Sequence, residues 1–179
     1  AISHGIAFVP EDRASDSIFE YLDVTHNITI SSLKRFTHFG KLYTTMVGGT
    51  VRGYVKKLNI NPGFSHDILA SYSGGNQQKV VLAKWIMSRS KIFILDEPTR
   101  GIDVVSKVDI YNSINDLVTK GASVIFISSD IDEILGMCDR IMVLTHGQIV
   151  CELPRHKATK EKILYYATLD SNGNTDEKA

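Results

Sequence analysis

A chain of 179 residues can bury a real core and form one domain. Lysine plus arginine equals aspartate plus glutamate at 20 each, so the basic excess that accompanies nucleic-acid binding is missing. The 43% apolar and 22% charged fractions are ordinary for a globular protein, and no apolar run approaches the roughly 20 residues of a membrane span.

The chain opens on Ala1, without an initiator methionine or a signal peptide, and runs at once into Gly5-Ile6-Ala7-Phe8-Val9. That fits a piece cut from something longer. The apolar pentapeptide reads as a short buried strand stopped by Pro10. Glu11 to Ser17 reads as loop. Asp23 to Leu33 suggests a helix starting at Thr25 or Asn27. Lys34 to Asn61 is the least legible stretch, although Val51, Tyr54, Val55 and Leu58 have helical spacing. Asn61-Pro62-Gly63 is a turn.

From Ser73 the pattern sharpens. Val80, Val81, Leu82, Trp85 and Ile86 predict one face of a helix ending near Ser88-Arg89-Ser90. Ile92 to Leu95 predicts a central parallel strand covered on both faces. Asp103 can cap a helix with the apolar stripe Val104, Val108, Tyr111, Ile114 and Val118, stopped by Gly121. Val124 to Ile127 predicts a second buried strand, Asp130 to Met137 a short helix, and Ile141 to Leu144 a third strand. His146-Gly147 then turns into a hairpin partner, Gln148 to Leu153. Thr159 to Thr168 predicts a terminal helix, and the polar run from Asp170 to Ala179 a disordered tail. Alternating strands and helices imply an α/β domain with a largely parallel sheet, whose ligands bind at the carboxyl ends of the strands. Cys138 and Cys151 are isolated and read as reduced core thiols, and the six histidines are scattered.

Two stretches carry chemistry. Ser71-Tyr72-Ser73-Gly74-Gly75-Asn76-Gln77-Gln78-Lys79 places small residues at a helix start, where bare N–H groups and the helix dipole can hold a phosphate. Ile92 to Asp103 is a buried strand ending in Asp96-Glu97-Pro98-Thr99. Asp96 could hold a magnesium ion, and Glu97 could orient or deprotonate a water beside a terminal phosphate. Together they read as nucleotide chemistry. A Gly-x-x-x-x-Gly-Lys loop followed by Ser or Thr should accompany them. Gly48 to Gly53 is rejected for that role: no lysine or hydroxyl is in place, and it follows the Val9-Pro10 strand instead of preceding it.

These stretches resemble the signature motif and Walker B strand of ATP-binding cassette proteins. Over Gly5 to Leu153 the chain is similar to the second cassette of the ATPase subunits of bacterial simple-sugar importers, of the ribose, galactose and xylose type. Val9-Pro10-Glu11-Asp12-Arg13 and Ile127-Ser128-Ser129-Asp130 resemble the same group. The resemblance implies a partial P-loop NTPase-like fold, a cassette without its Walker A segment. It would span residues 1–169, with a helical signature subdomain at about 16–90. It implies ATP and Mg2+ as cofactors. Ser73, Gly74, Gly75 and Gln77 would face the ATP of an opposing cassette, Asp96 would serve the metal, and Glu97 the attacking water. Arg100 to Asp103 would match the loop that crosses the cassette interface after Walker B. Glu11 stands where most cassettes carry a glutamine that couples to the membrane subunit, and Ser129 where most carry a switch histidine. A serine cannot become cationic, so the site built on Asp96 and Glu97 is expected to be the weaker one. Tyr72 replaces the usual signature leucine as a neutral core swap.

The partners implied are a second cassette, membrane permease subunits and, indirectly, a periplasmic or extracellular sugar-binding protein. The expected location is peripheral, on the cytoplasmic face of the bacterial membrane. Without a phosphate loop the isolated chain is expected to be inactive, and marginally folded where the sheet lies uncovered. The alternative is a non-catalytic remnant or interaction module that pairs with an intact cassette. A cassette working on DNA or ribosomes is disfavoured by the neutral charge.

Overall fold

The computed structural model describes residues 1–63 and 66–168. The tail expected beyond Leu169 lies outside them. The chain divides into two compact units, Ala1–Ile127 and Ser128 onward.

In the first unit, β1 (Ile6–Val9) is followed by a single helical turn, α1 (Arg13–Asp16). That turn replaces the loop expected at Glu11 to Ser17. Its cause is Asp12, whose carboxylate accepts from the amides of Ala14 and Ser15. The next helix, α2 (Val24–Thr29), is capped by Asp23, which accepts from the His26 amide at 2.8 Å, and not by Thr25 or Asn27. Asn27 is buried instead and clamps the preceding turn. It accepts from the Phe19 amide and donates to the carbonyls of Phe19, Leu22 and Asp23.

A 3-10 stretch (Ile30–Phe36) and a small antiparallel pair, β2 (Thr37–His38) with β3 (Lys41–Leu42), lead into α3 (Thr44–Lys57). The helical spacing read around Val51 marks this helix, which buries Val47, Val51 and Val55. Gly48, Gly49 and Gly53 all lie inside it, so no phosphate-type loop forms there.

The helix α4 (Gly74–Met87) starts at the Ser73 cap and is buried nearly all round, including Gln78, Lys79 and Lys84. The one-faced stripe expected for it is therefore too narrow. Helix α4 packs against α2, α3 and β1, and three-sided burial erases the amphipathic pattern.

Strand β4 (Ile92–Asp96) is central in a parallel three-stranded sheet, order β1-β4-β5, where β5 is Ser123–Ile127. Between β4 and β5 runs α5 (Val104–Thr119). The register pairs Phe8 with Ile94 and Ile94 with Ile125, so these three share one face. The opposite face, with Ala7, Val9, Phe93 and Leu95, is sealed. The shared face is not: Phe8 is 46% exposed, Ile125 53% and Ile127 44%. The expectation of two-sided cover for β4 and of a buried β5 fails on this face. The stripe expected on α5 is also rotated. Its buried residues are Ser106, Ile110, Ile114 and Leu117, while Val104, Val108 and Val118 face outward. The capping by Asp103 and the stop at Gly121, with φ of 87°, are as expected.

In the second unit, Asp130 caps α6 (Ile131–Met137). Strands β6 (Arg140–Thr145) and β7 (Gln148–Pro154) form the expected hairpin, with His146 and Gly147 both in the left-handed region. The short helix α7 (Lys160–Ala167) closes a core of Ile141, Val143, Ala158 and Ile163. Cys138 and Cys151 pack at its edge as free thiols. Among the described residues no helix is long and apolar enough to cross a membrane.

Candidate functional site

The site grows from the start of α4. The Ser73 hydroxyl accepts from the Asn76 amide at 3.4 Å and from the Asn76 side chain at 2.9 Å. Ser73 is exposed, Gly74 is half-buried and Gly75 is buried.

Gly75 is needed because α5 passes directly against it. A Cβ at Gly75 would lie 2.6 Å from Ser106 Cβ and 3.0 Å from Asp103 Oδ2, with the Ser106 hydroxyl closer still. A Cβ at Gly74 would meet the Arg13 guanidinium at 2.5 Å and the Gly101 carbonyl at 3.7 Å. The helix start is thus touched by the segment after β1 and by the loop after β4. No side chain larger than hydrogen fits at Gly75 without moving α5.

The same contacts bring Asp103 to this surface. Its carboxylate accepts from the Ser106 amide at 2.9 Å. That bond, a second one from the Ser106 hydroxyl and the nearby Lys79 ammonium hold its carboxyl below the usual carboxylate range. Lys79 itself is buried. It pairs with Asp109 at 2.6 Å and donates to the Asn59 backbone carbonyl at 3.0 Å, while the Asn59 side-chain Nδ2 donates to Asp109 at 3.1 Å. This network ties α4 to α5.

Glu11, Gln77, Arg100 and Gly101 line one open cleft of about 360 Å3 with Asp12, Arg13 and Ala14. Glu11 forms an ion pair with Arg100 across it. Gln77 donates to the Leu69 carbonyl at 3.3 Å. The approach of Arg13 to Gly74 and the pairing of Arg100 with Glu11 were not legible in the sequence. The only signal was the run Glu11-Asp12-Arg13, in which Asp12 caps the turn that carries Arg13.

Asp96 and Glu97 stand at the carboxyl end of β4, both half-buried. Glu97 has a φ of 45°, a left-handed conformation uncommon outside glycine. It is held there because its amide donates to the Ile127 carbonyl at 2.9 Å, and the Arg100 amide donates to the Glu97 carbonyl at 3.1 Å. Behind them Thr99 is fully buried. The turn redirects Glu97 away from the pleat of the strand. Among the described residues no group of three or more metal-binding side chains gathers. A single carboxylate at a strand end still fits Mg2+, which keeps most of its shell as water and phosphate oxygens. The sequence pattern Gly-x-x-x-x-Gly-Lys followed by Ser or Thr does not occur in the sequence.

Ser129 belongs to the second unit and is exposed. Its neighbour Ser128 donates to Glu133 at 3.0 Å and accepts from the Asp130 amide at 3.0 Å. Tyr72 is buried, as expected of a core swap, and burial pushes its phenol up.

Comparison with known proteins bears on the family and the fold. A family profile described as ABC transporter matches residues 2–100. The chain is 48% identical over 168 residues to a xylose import ATP-binding protein, XylG, of Thermoanaerobacter pseudethanolicus, with 94% of this chain and 33% of that protein covered. It is 42% identical over 173 residues to a ribose import ATP-binding protein, RbsA, of Clostridium tetani, with 96% and 34% covered. The chain therefore spans about a third of the length of the curated relatives it matches. Among solved structures, the dimeric cassette MJ0796 in a post-hydrolysis state bound to ADP and Pi superposes with a TM-score of 0.71. That match has 20% identity and covers 84% of this chain and 62% of that one, so it speaks to the fold.

Proposed function

We propose, from the premise that this chain belongs to the ABC transporter family, that it supplies the signature and Walker B parts of a cassette that energises import of a simple sugar. The observation that carries the reading is the contact of Gly75 with Ser106 and Asp103. It makes the open start of α4 and the loop after the acid pair one surface.

On that surface Ser73, Gly74 and Gly75 offer a hydroxyl and amides to the terminal phosphate of an ATP held by a second cassette. Each charge-assisted bond is worth about 1.5–3 kcal/mol. Gln77 and Asp103 position this donor set, Gln77 through the Leu69 carbonyl and Asp103 through Ser106. Asp96 supplies one oxygen to Mg2+, and Glu97, turned out of the strand, orients a water. Bound metal would neutralise phosphate charge, while these residues orient and hold protons. Glu11 lies beside Arg100, where a membrane subunit's contact would reach the cleft. Ser129, at the position where most cassettes carry a histidine, cannot become cationic, and on that chemistry the site of Asp96 and Glu97 is the weaker of two. Working place and partners follow from this reading: the cytoplasmic face of the membrane, permease subunits, and a sugar-binding protein beyond them.

The test is a pair of substitutions in the full-length parent, assayed for ATPase. Ser73→Arg is expected to cut turnover by at least about 100-fold, the scale of losing positioned donors. Glu97→Gln is expected to leave most of it. The reverse result would overturn the assignment. Loss in neither variant would favour a non-catalytic module that pairs with an intact cassette.

A further inference from the structure

Lys84 is only 7% exposed, in the middle of α4. Among the described residues its ammonium donates to one acceptor, the Ser17 carbonyl at 2.6 Å, and lies 5.2 Å from the Trp85 ring centre. Burial pushes it down to about 8, and no carboxylate offsets that. Beside it the Trp85 indole nitrogen is buried with no hydrogen-bond partner among the described residues. Both residues line a groove of about 360 Å3, one side of which is formed by Ser17, Ile18 and Phe19. Ile2, Phe19 and Ile30 line it too and are exposed, as is Asp16.

A buried ammonium with spare N–H groups and an unpaired indole N–H both call for an acceptor. Leaving such groups unmet is costly, and an anion repays most where water is excluded. The apolar lining calls for more than an ion, because a small anion would leave Ile2, Phe19 and Ile30 wet.

We propose that this groove receives an acidic side chain carried on an apolar stretch of a partner protein, its carboxylate pairing with Lys84 and accepting from the Trp85 indole. The site is separate from the cleft of Glu11 and Arg100 and does not depend on nucleotide turnover.

Trp85 is the only tryptophan, so its emission reports on the groove. The full 179-residue chain is titrated with a helix-forming peptide of alanine and leucine, about 12 residues long, carrying one central glutamate. A twin peptide carries glutamine instead, and acetate is the third probe. The expected result is a saturable change with the glutamate peptide and binding about tenfold weaker with its twin. Lys84→Met abolishes the glutamate preference while circular dichroism stays unchanged, and the surface change Phe19→Ser weakens both peptides. Equal binding of the two peptides, no response to either, an undiminished preference in Lys84→Met, or an acetate response that matches the peptide's would each overturn the proposal.

Discussion

The start of α4 and the outer face of the three-stranded sheet belong to one unit and are built in opposite ways. At the start of α4 three chain segments converge on two glycines, and an ion pair of buried Lys79 with half-buried Asp109 ties α4 to α5 behind them. On the outer sheet face Phe8, Ile125 and Ile127 are bare, although their residue types would suit a core. The first region is tightly packed, with no room for a larger side chain at Gly75. The second leaves apolar side chains of β1 and β5 about half exposed on one face, and among the described residues these two strands are the edges of the sheet.

The sharpest way to break the contrast is at the lock. Asp109→Ala leaves the Lys79 ammonium buried without its carboxylate, and is expected to cost about 3 kcal/mol in denaturant melts. A loss under about 0.5 kcal/mol would mean that the two helices are not fastened there. Gly75→Ala comes next. It forces a methyl into Ser106 and Asp103, and is expected to cost about 1–3 kcal/mol despite the better helix propensity of alanine.

Gly49→Ala is the matched control. It sits inside α3 with open space around it, and the same change should stabilise by about 0.5–1 kcal/mol. If both glycines respond alike, crowding at α4 is not what sets the difference.

Lys84 gives the pH dependence. Its pKa is about 8 in the folded chain, below its ordinary value near 10.4 when unfolded. Between these values the unfolded chain binds more protons, so stability rises with pH across that window and levels off below about 8, where both states carry the proton. Melts at about pH 7 and about pH 10 should show the rise in the native chain and a flatter profile in Lys84→Met. Identical profiles would mean that the ammonium is hydrated.

The smallest effect is expected on the open face. Ile125→Ser should change the melt by less than about 0.5 kcal/mol, while reducing self-association in sedimentation. A large loss of stability would show that this face is packed in solution.

The strands, the two central helices and both chemical stretches were legible from residue order, because buried runs, caps and stop glycines act over a few neighbours. Asp103 and Ser73 cap where their positions imply, and Asp96 and Glu97 end a strand as four preceding apolar residues require. Asn27 misled: in sequence it is a cap residue, yet it serves four backbone groups from a buried position.

What residue order settled by itself is the inventory: a parallel α/β unit, a glycine-rich helix start capped by Ser73 and an acid pair at a strand end. Tertiary packing alone decided which side of α5 turns inward, since that follows from where Ser106 meets Gly75 and not from where valines recur. It also decided that Lys79 and Lys84 are buried and that Arg13 lies over Gly74. Such placements depend on segments dozens of positions apart coming within van der Waals reach, and no local periodicity encodes that distance.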